Sequence, residues 1–205
     1  MNTREATALI AAAVEGRGGT WADVGAGDGT FTRALAELLG PGSRIYAVDN
    51  DARAMRRLEQ WAARAKASVM SVVADFTSPF ELPGFDERLL DGMLAANALH
   101  FVRDPAGVLA RLVERVRPGG RVVVIEYDRR RASRWVPYPI DSDRLPEIAA
   151  HAGLTAPTFT ATRPSLYGGA IYVAAMDRLG SRDASVSRMP LAQKPTDKRP
   201  EQEVG

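Results

Sequence analysis

Along most of the chain, short apolar runs alternate with longer segments in which apolar residues recur at helical spacing. Thr20–Val24, Arg44–Asp49, Ser68–Ala74, Leu90–Ala95 and Arg121–Tyr127 read as strands, each short, apolar in its middle and bounded by turn-forming residues. Arg4–Val14, Thr30–Leu39, Asp51–Ala65, Ala106–Val116 and Ser142–Ala152 read as helices. In the third of these, Ala54, Leu58, Trp61 and Ala65 share one face. Gly40-Pro41-Gly42 stops the second helix, and Pro118-Gly119-Gly120 is expected to turn tightly into the fifth strand. Regular alternation of strand and helix predicts a parallel sheet covered on both faces. Thr158–Thr162 and Ala170–Met176 bring the strands to seven. Only S-L-Y-G-G, with its neighbouring residues, separates the last two strands. That gap permits a hairpin but no crossover, so the final strand is expected to run antiparallel to the rest.

Length and composition narrow the classes. A chain of 205 residues with 45% hydrophobic and 25% charged positions suits one soluble globular domain, placed here at residues 1–178. Residues 182–205 are polar, proline-bearing and aperiodic, and are expected to form a disordered tail. No apolar run has the length of a membrane span and Met1–Ala13 lacks a signal-peptide pattern, which predicts a cytoplasmic protein. Without cysteine there are no disulfides, thiolate metal sites or cysteine nucleophile, and two histidines do not make a multi-histidine zinc site, so no metal is expected. A net charge of +2 does not call for a polyanionic partner, and nucleic acid is not expected.

The chemistry concentrates in W-A-D-V-G-A-G-D-G-T-F, Trp21–Phe31. A strand runs into Gly25, Gly27 and Gly29 and then into a helix. Glycine lets backbone N–H groups approach a ligand closely, and a helix N-terminus favours negative charge. The next strand ends in Asp49, an acid placed to accept from two ribose hydroxyls. Both features describe a nucleoside-type cofactor across the carboxyl ends of a parallel sheet. A dinucleotide fingerprint reads G-x-G-x-x-G. Here the third glycine arrives one residue early, and Asp23 puts a carboxylate where it suits an ammonium group and repels a pyrophosphate.

The D-x-G-x-G-x-G pattern resembles the first motif of class I S-adenosylmethionine-dependent methyltransferases. Four segments follow that family's order: D-V-G-A-G-D-G, I-Y-A-V-D, V-V-A-D-F and V-R-P-G-G-R-V-V-V-I-E. N-A-L-H-F-V-R-D-P and R-P-G-G-R-V-V-V-I-E-Y are similar to the small-molecule branch that includes ubiquinone and menaquinone biosynthesis methyltransferases. The resemblance implies an α/β fold, a Rossmann-like three-layer αβα sandwich with a seven-stranded, mostly parallel sheet whose last strand is antiparallel. It implies transfer of a methyl group from S-adenosylmethionine to an O, N or C nucleophile, with S-adenosylhomocysteine as product. By that likeness the backbone of Gly25, Ala26, Gly27 and Gly29 cradles the methionine end and Asp23 faces its ammonium. Asp49 and Asn50 lie at the ribose, Asp75 and Phe76 at adenine, and Asn97 borders the transferable methyl.

His100, just after the fourth strand, is the candidate base, and Tyr127 with Glu126 closes the fifth strand beside the acceptor. His151 suits the end of its helix. The basic segment Asp128–Pro139, with Arg129–Arg134 beside Trp135 and Tyr138, reads either as a solvated loop or as an acceptor contact. Acceptor identity stays open, as do a homodimer or partner subunit completing the pocket. RNA methylation, NAD-dependent oxidoreduction and non-catalytic nucleoside binding are the competing functions.

Overall fold

The apolar runs become strands because both of their faces are buried. In β4 (Leu90–Ala96) and β5 (Val116–Asp128), Met93, Ala95, Val122 and Val124 face one core while Leu94, Ala96, Val123 and Ile125 face the other. The computed structural model describes residues 1–85, 89–165 and 168–180. The expected tail at 182–205 and part of the S-L-Y-G-G gap lie outside the described residues.

Among the described residues, seven strands form one sheet in the order β3-β2-β1-β4-β5-β7-β6, with β1 Thr20–Val24, β2 Arg44–Asp49, β3 Ser68–Val73, β6 Thr158–Pro164 and β7 Ala170–Asp177. β1 to β5 pair in parallel, whereas β7 runs antiparallel between β5 and β6. The hairpin-length gap required this reversal. The result is the expected Rossmann-like, three-layer αβα sandwich.

Helices α1 (Thr3–Val14), α2 (Thr30–Leu39) and α3 (Ala52–Ala62) pack on one face of the sheet. The other face is covered by α4 (Pro105–Val113) and α5 (Leu145–His151). The side chain of Asn2 accepts from the Glu5 N–H, and Glu5 returns the bond to the Asn2 N–H, closing a capping box on α1. Asp51 accepts from the N–H groups of Arg53 and Ala54 at the start of α3. α2 begins differently: its N-cap is Gly29, which brings no side chain to the first turn. In the sheet, fully buried Trp21 on β1 stands opposite Gly92 on β4, and a Cβ at position 92 would run into the indole ring.

Four boundaries differ from the sequence expectation by three residues or more. The helix expected over Asp51–Ala65 ends at Ala62, and the one expected from Ser142 begins at Leu145. The helix expected over Ala106–Val116 ends at Val113, and Val116 is the first residue of β5, paired with Leu90. Pro118-Gly119-Gly120 is therefore an irregularity inside β5 rather than a turn before it. Arg178 explains why: its carbonyl accepts from the Gly119 N–H at 2.8 Å and its own N–H donates to the Gly120 carbonyl at 2.9 Å. Those long-range bonds override a local turn signal.

From β1 the chain builds outward through β2 and β3, then returns to the far side of β1 for β4 and β5. This reversal opens a crevice at the carboxyl ends of the strands, the usual binding place in such sheets.

Candidate functional site

Every parallel strand delivers a side chain or loop to that crevice. After β1 the chain turns through Gly25, Gly27 and Gly29, all with positive φ. The N–H groups of Gly25 and Ala26 donate to the Val48 carbonyl at 2.8 and 3.1 Å, which folds the loop over the end of β2. Asp49 then fastens its middle: Oδ2 accepts from the Gly27 N–H and Oδ1 from the Asp51 N–H, both at 2.8 Å. Each oxygen keeps a further lone pair. A Cβ built on Gly27 would meet nothing within 4 Å, because that position borders open cavity. Gly29 behaves otherwise. It lines neither cavity beside the loop, and a Cβ there would strike Leu58, so this glycine serves the packing of α2 against α3.

Asp23 is completely buried at the end of β1. Oδ2 accepts from Thr32 Oγ1 at 2.6 Å, while Oδ1 has no hydrogen-bond partner. Burial pushes this carboxyl up to about 7, Thr32 opposes the shift and the charge of Asp49 adds to it. An unpartnered carboxylate oxygen in a dry position is expensive unless a cation reaches it. Asp23 lines a cavity of about 370 Å³ with Ala26, Thr30, Phe31 and Asn97, at the uncapped first turn of α2.

A second cavity, of about 570 Å³, lies on the other side of the loop between Asp49, Asn50, Asp75, Phe76 and Asn97. Asp75 accepts from the Thr77 hydroxyl and N–H at 2.7 and 2.8 Å, and these bonds hold it below the usual carboxylate range. Asn97 follows β4 with φ 51, a strained backbone for a non-glycine residue, and its N–H donates to the Ile125 carbonyl at 2.8 Å. Its buried Oδ1 has no hydrogen-bond partner. Asn97 lines both cavities and a third, of about 420 Å³, with His100, Phe101, Tyr127, Trp135 and Val136.

His100 lies in a 3-10 turn, Leu99–Phe101, and is buried rather than exposed. Its Nδ1 is 2.6 Å from Glu126 Oε2, and its N–H donates to Glu126 Oε1 at 3.2 Å. His151 sits exposed in the last turn of α5, away from the crevice.

Of the residues singled out from sequence, Asp23, Gly25, Ala26, Gly27, Asp49, Asn50, Asp75, Phe76, Asn97, His100, Tyr127, Arg130 and Trp135 line the three cavities and Glu126 backs His100, whereas Gly29, Arg129, Arg131, Arg134, Tyr138 and His151 line none of them. Sequence reasoning missed Thr32, Thr30 and Phe31 beside Asp23, Thr77 beside Asp75, and Phe101 and Val136 beside His100. Their signal is position alone: all but Val136, which lies well along the loop between β5 and α5, follow a strand end by a few residues or occupy the first turns of the helix after it.

A family model described as a methyltransferase domain matches residues 22–124, half of the chain. The chain belongs to the methyltransferase-domain family. The match runs from β1 into β5 and so contains every cavity residue from Asp23 to Phe101. This methyltransferase-domain chain is 29% identical over 106 residues to an uncharacterised 37.1 kDa protein in transposon TN4556 of Streptomyces fradiae, covering 52% of this chain and 29% of that one. It is 37% identical over 59 residues to a probable cobalt-precorrin-6B C(15)-methyltransferase of Pyrobaculum aerophilum, covering 29% and 30% respectively. The chain thus spans about three-tenths of the length of these curated relatives. Among solved structures it resembles the 1,6-didemethyltoxoflavin-N1-methyltransferase of Burkholderia thailandensis, with TM-score 0.68, 24% identity and coverage of 87% of this chain and 78% of that one. That likeness is one of fold. Among the described residues no helix is long and apolar enough to cross a membrane, and no cluster of three metal-ligating acidic, histidine or cysteine residues occurs.

Proposed function

We propose that this protein, through residues 1–178, transfers a methyl group from S-adenosylmethionine to a small-molecule acceptor. The observation that carries the reading is the buried Asp23 with one oxygen unpartnered, beside a glycine loop tied to Asp49. An amino-acid ammonium satisfies that oxygen and removes the cost of ionising the carboxyl. The uncapped N-terminus of α2 next to it suits the carboxylate of the same amino acid. Asp49 keeps one lone pair per oxygen for two ribose hydroxyls, and Asp75, Asn50 and Phe76 lie where adenine follows. The Burkholderia protein of the same fold holds 1,6-didemethyltoxoflavin and S-adenosylhomocysteine in its crystal structure, which supports the same reading here. A nicotinamide dinucleotide fits less well, because its pyrophosphate would face Asp23.

When bound, S-adenosylmethionine supplies a methyl group already activated by a sulfonium. What remains for the protein is to position the acceptor, exclude water and hold a proton. Asn97 stands where the three cavities meet and so borders the transferred group. His100 and Tyr127 line the acceptor side. The open rim at Phe101 and Trp135 is where a second copy or a partner subunit would complete the pocket.

Calorimetric titration tests the assignment. S-adenosylhomocysteine is expected to saturate one site and NAD none; NAD binding in its place would refute the reading.

A further inference from the structure

The third cavity has chemistry of its own. Its walls are the rings of Phe101, Tyr127 and Trp135 together with Val136, and Phe101 and Trp135 present large exposed faces at its mouth. Its volume of about 420 Å³ admits one or two fused rings. A cation belongs to the lining as well: the Arg130 guanidinium lies 4.3 Å from the centre of the Tyr127 ring. Flat apolar walls favour a planar ligand, and the cation favours one that becomes negative.

At the inner end stands His100, 2% exposed, backed by Glu126, 0% exposed. Nδ1 is turned onto Glu126 at 2.6 Å, so Nε2 is the ring nitrogen left for a ligand in the cavity. A carboxylate behind an imidazole fixes its tautomer and orientation and stabilises the imidazolium that forms when the ring takes a proton. Tyr127 and Arg130 are the other titratable groups lining the cavity.

We propose that the acceptor is a planar aromatic compound bearing an ionisable hydroxyl, held by Phe101 and Trp135, with His100 as catalytic base and Glu126 as the residue that positions it. The inference rests on the cofactor reading above. The hydroxyl proton passes to His100 Nε2 as its oxygen forms a bond to the methyl carbon. The carbon–sulfur bond breaks, its electron pair stays on sulfur as a neutral thioether, and the imidazolium returns the proton to solvent. The products are an aryl methyl ether and S-adenosylhomocysteine.

The probes are 2-naphthol and its saturated counterpart decahydro-2-naphthol, each titrated calorimetrically into protein saturated with S-adenosylhomocysteine. The aromatic compound is expected to bind at least about tenfold more tightly than the saturated one. Phe101→Ala and Trp135→Ala are expected to weaken it about tenfold each, and S-adenosylhomocysteine affinity should stay unchanged in Trp135→Ala, because Trp135, unlike Phe101, does not line the cavity beside Asp49. In turnover of 2-naphthol, His100→Gln and Glu126→Gln are expected to lower kcat about 100-fold or more with little change in KM. For 4-nitro-1-naphthol, which is ionised before it binds, the loss should shrink to a few-fold, an effect that a purely structural role would not produce. Equal binding of the two alcohols, binding of neither, no turnover by the wild type, or equal losses with both naphthols would overturn the proposal. Failure of S-adenosylhomocysteine to bind would instead overturn the reading beneath it.

Discussion

Replacing Asp23 by Asn separates what this residue costs the fold from what it contributes to binding. In the native protein the carboxyl holds its proton up to about pH 7, whereas an unfolded chain releases it near 3.8. Between those values the native state binds more protons than the unfolded state, so this residue makes stability fall as pH rises from about 4 to about 7, with no further loss above. Each pH unit in that window is worth a little over 1 kcal/mol. From pH 5 to pH 7 the wild type should therefore lose about 2 kcal/mol that Asp23→Asn does not. Thr32 can reverse its bond and accept one amide hydrogen, and the cost of the donors left unpaired does not vary with pH, so it leaves the comparison of slopes intact. Urea unfolding of both proteins at half-unit pH steps measures the divergence directly. Stability curves that stay parallel would show that Asp23 ionises freely in the fold and would refute the reasoning. The same variant should bind S-adenosylhomocysteine about 10- to 100-fold more weakly, because a charge-assisted bond to the ammonium becomes a neutral one.

Other outcomes follow from the same geometry. S-adenosylhomocysteine affinity of the wild type should rise with pH between about 6 and 8, as Asp23 becomes the anion that pairs with the ammonium, and calorimetry in that range checks the sign. Asp49→Ala removes the acceptor of the Gly27 and Asp51 N–H groups as well as the ribose contacts, so binding should fall at least about 100-fold by equilibrium dialysis. Gly92→Ala drives a methyl group into the Trp21 indole; thermal unfolding should show a loss of about 1–3 kcal/mol with cofactor affinity unchanged in the folded protein.

Much of the fold was legible because each strand carries its own signal. Arg44–Asp49 and Leu90–Ala95 are short apolar runs between turn residues, and the S-L-Y-G-G gap leaves no length for a crossover. The start of β5 was not legible, since Pro118-Gly119-Gly120 is locally a turn and only the distant Arg178 makes it part of a strand. The site divides in the same way. Glycine spacing and strand-end acids can be seen in a linear chain, because closely approached backbone and strand ends both restrict residue type. The pairing of His100 with Glu126 spans 26 residues and depends on the register of β4 against β5. Neither that contact nor the dryness around Asp23 has a local signature.

The socket itself is tested most directly by a crystal structure of the protein with S-adenosylhomocysteine. Electron density is expected across the carboxyl ends of β1 and β2, with the ribose hydroxyls on the Asp49 carboxylate, the ammonium on Asp23 Oδ1 and the sulfur beside Asn97. Density that leaves Asp23 Oδ1 without a ligand partner, or that places the adenosine away from Asp49, would contradict it.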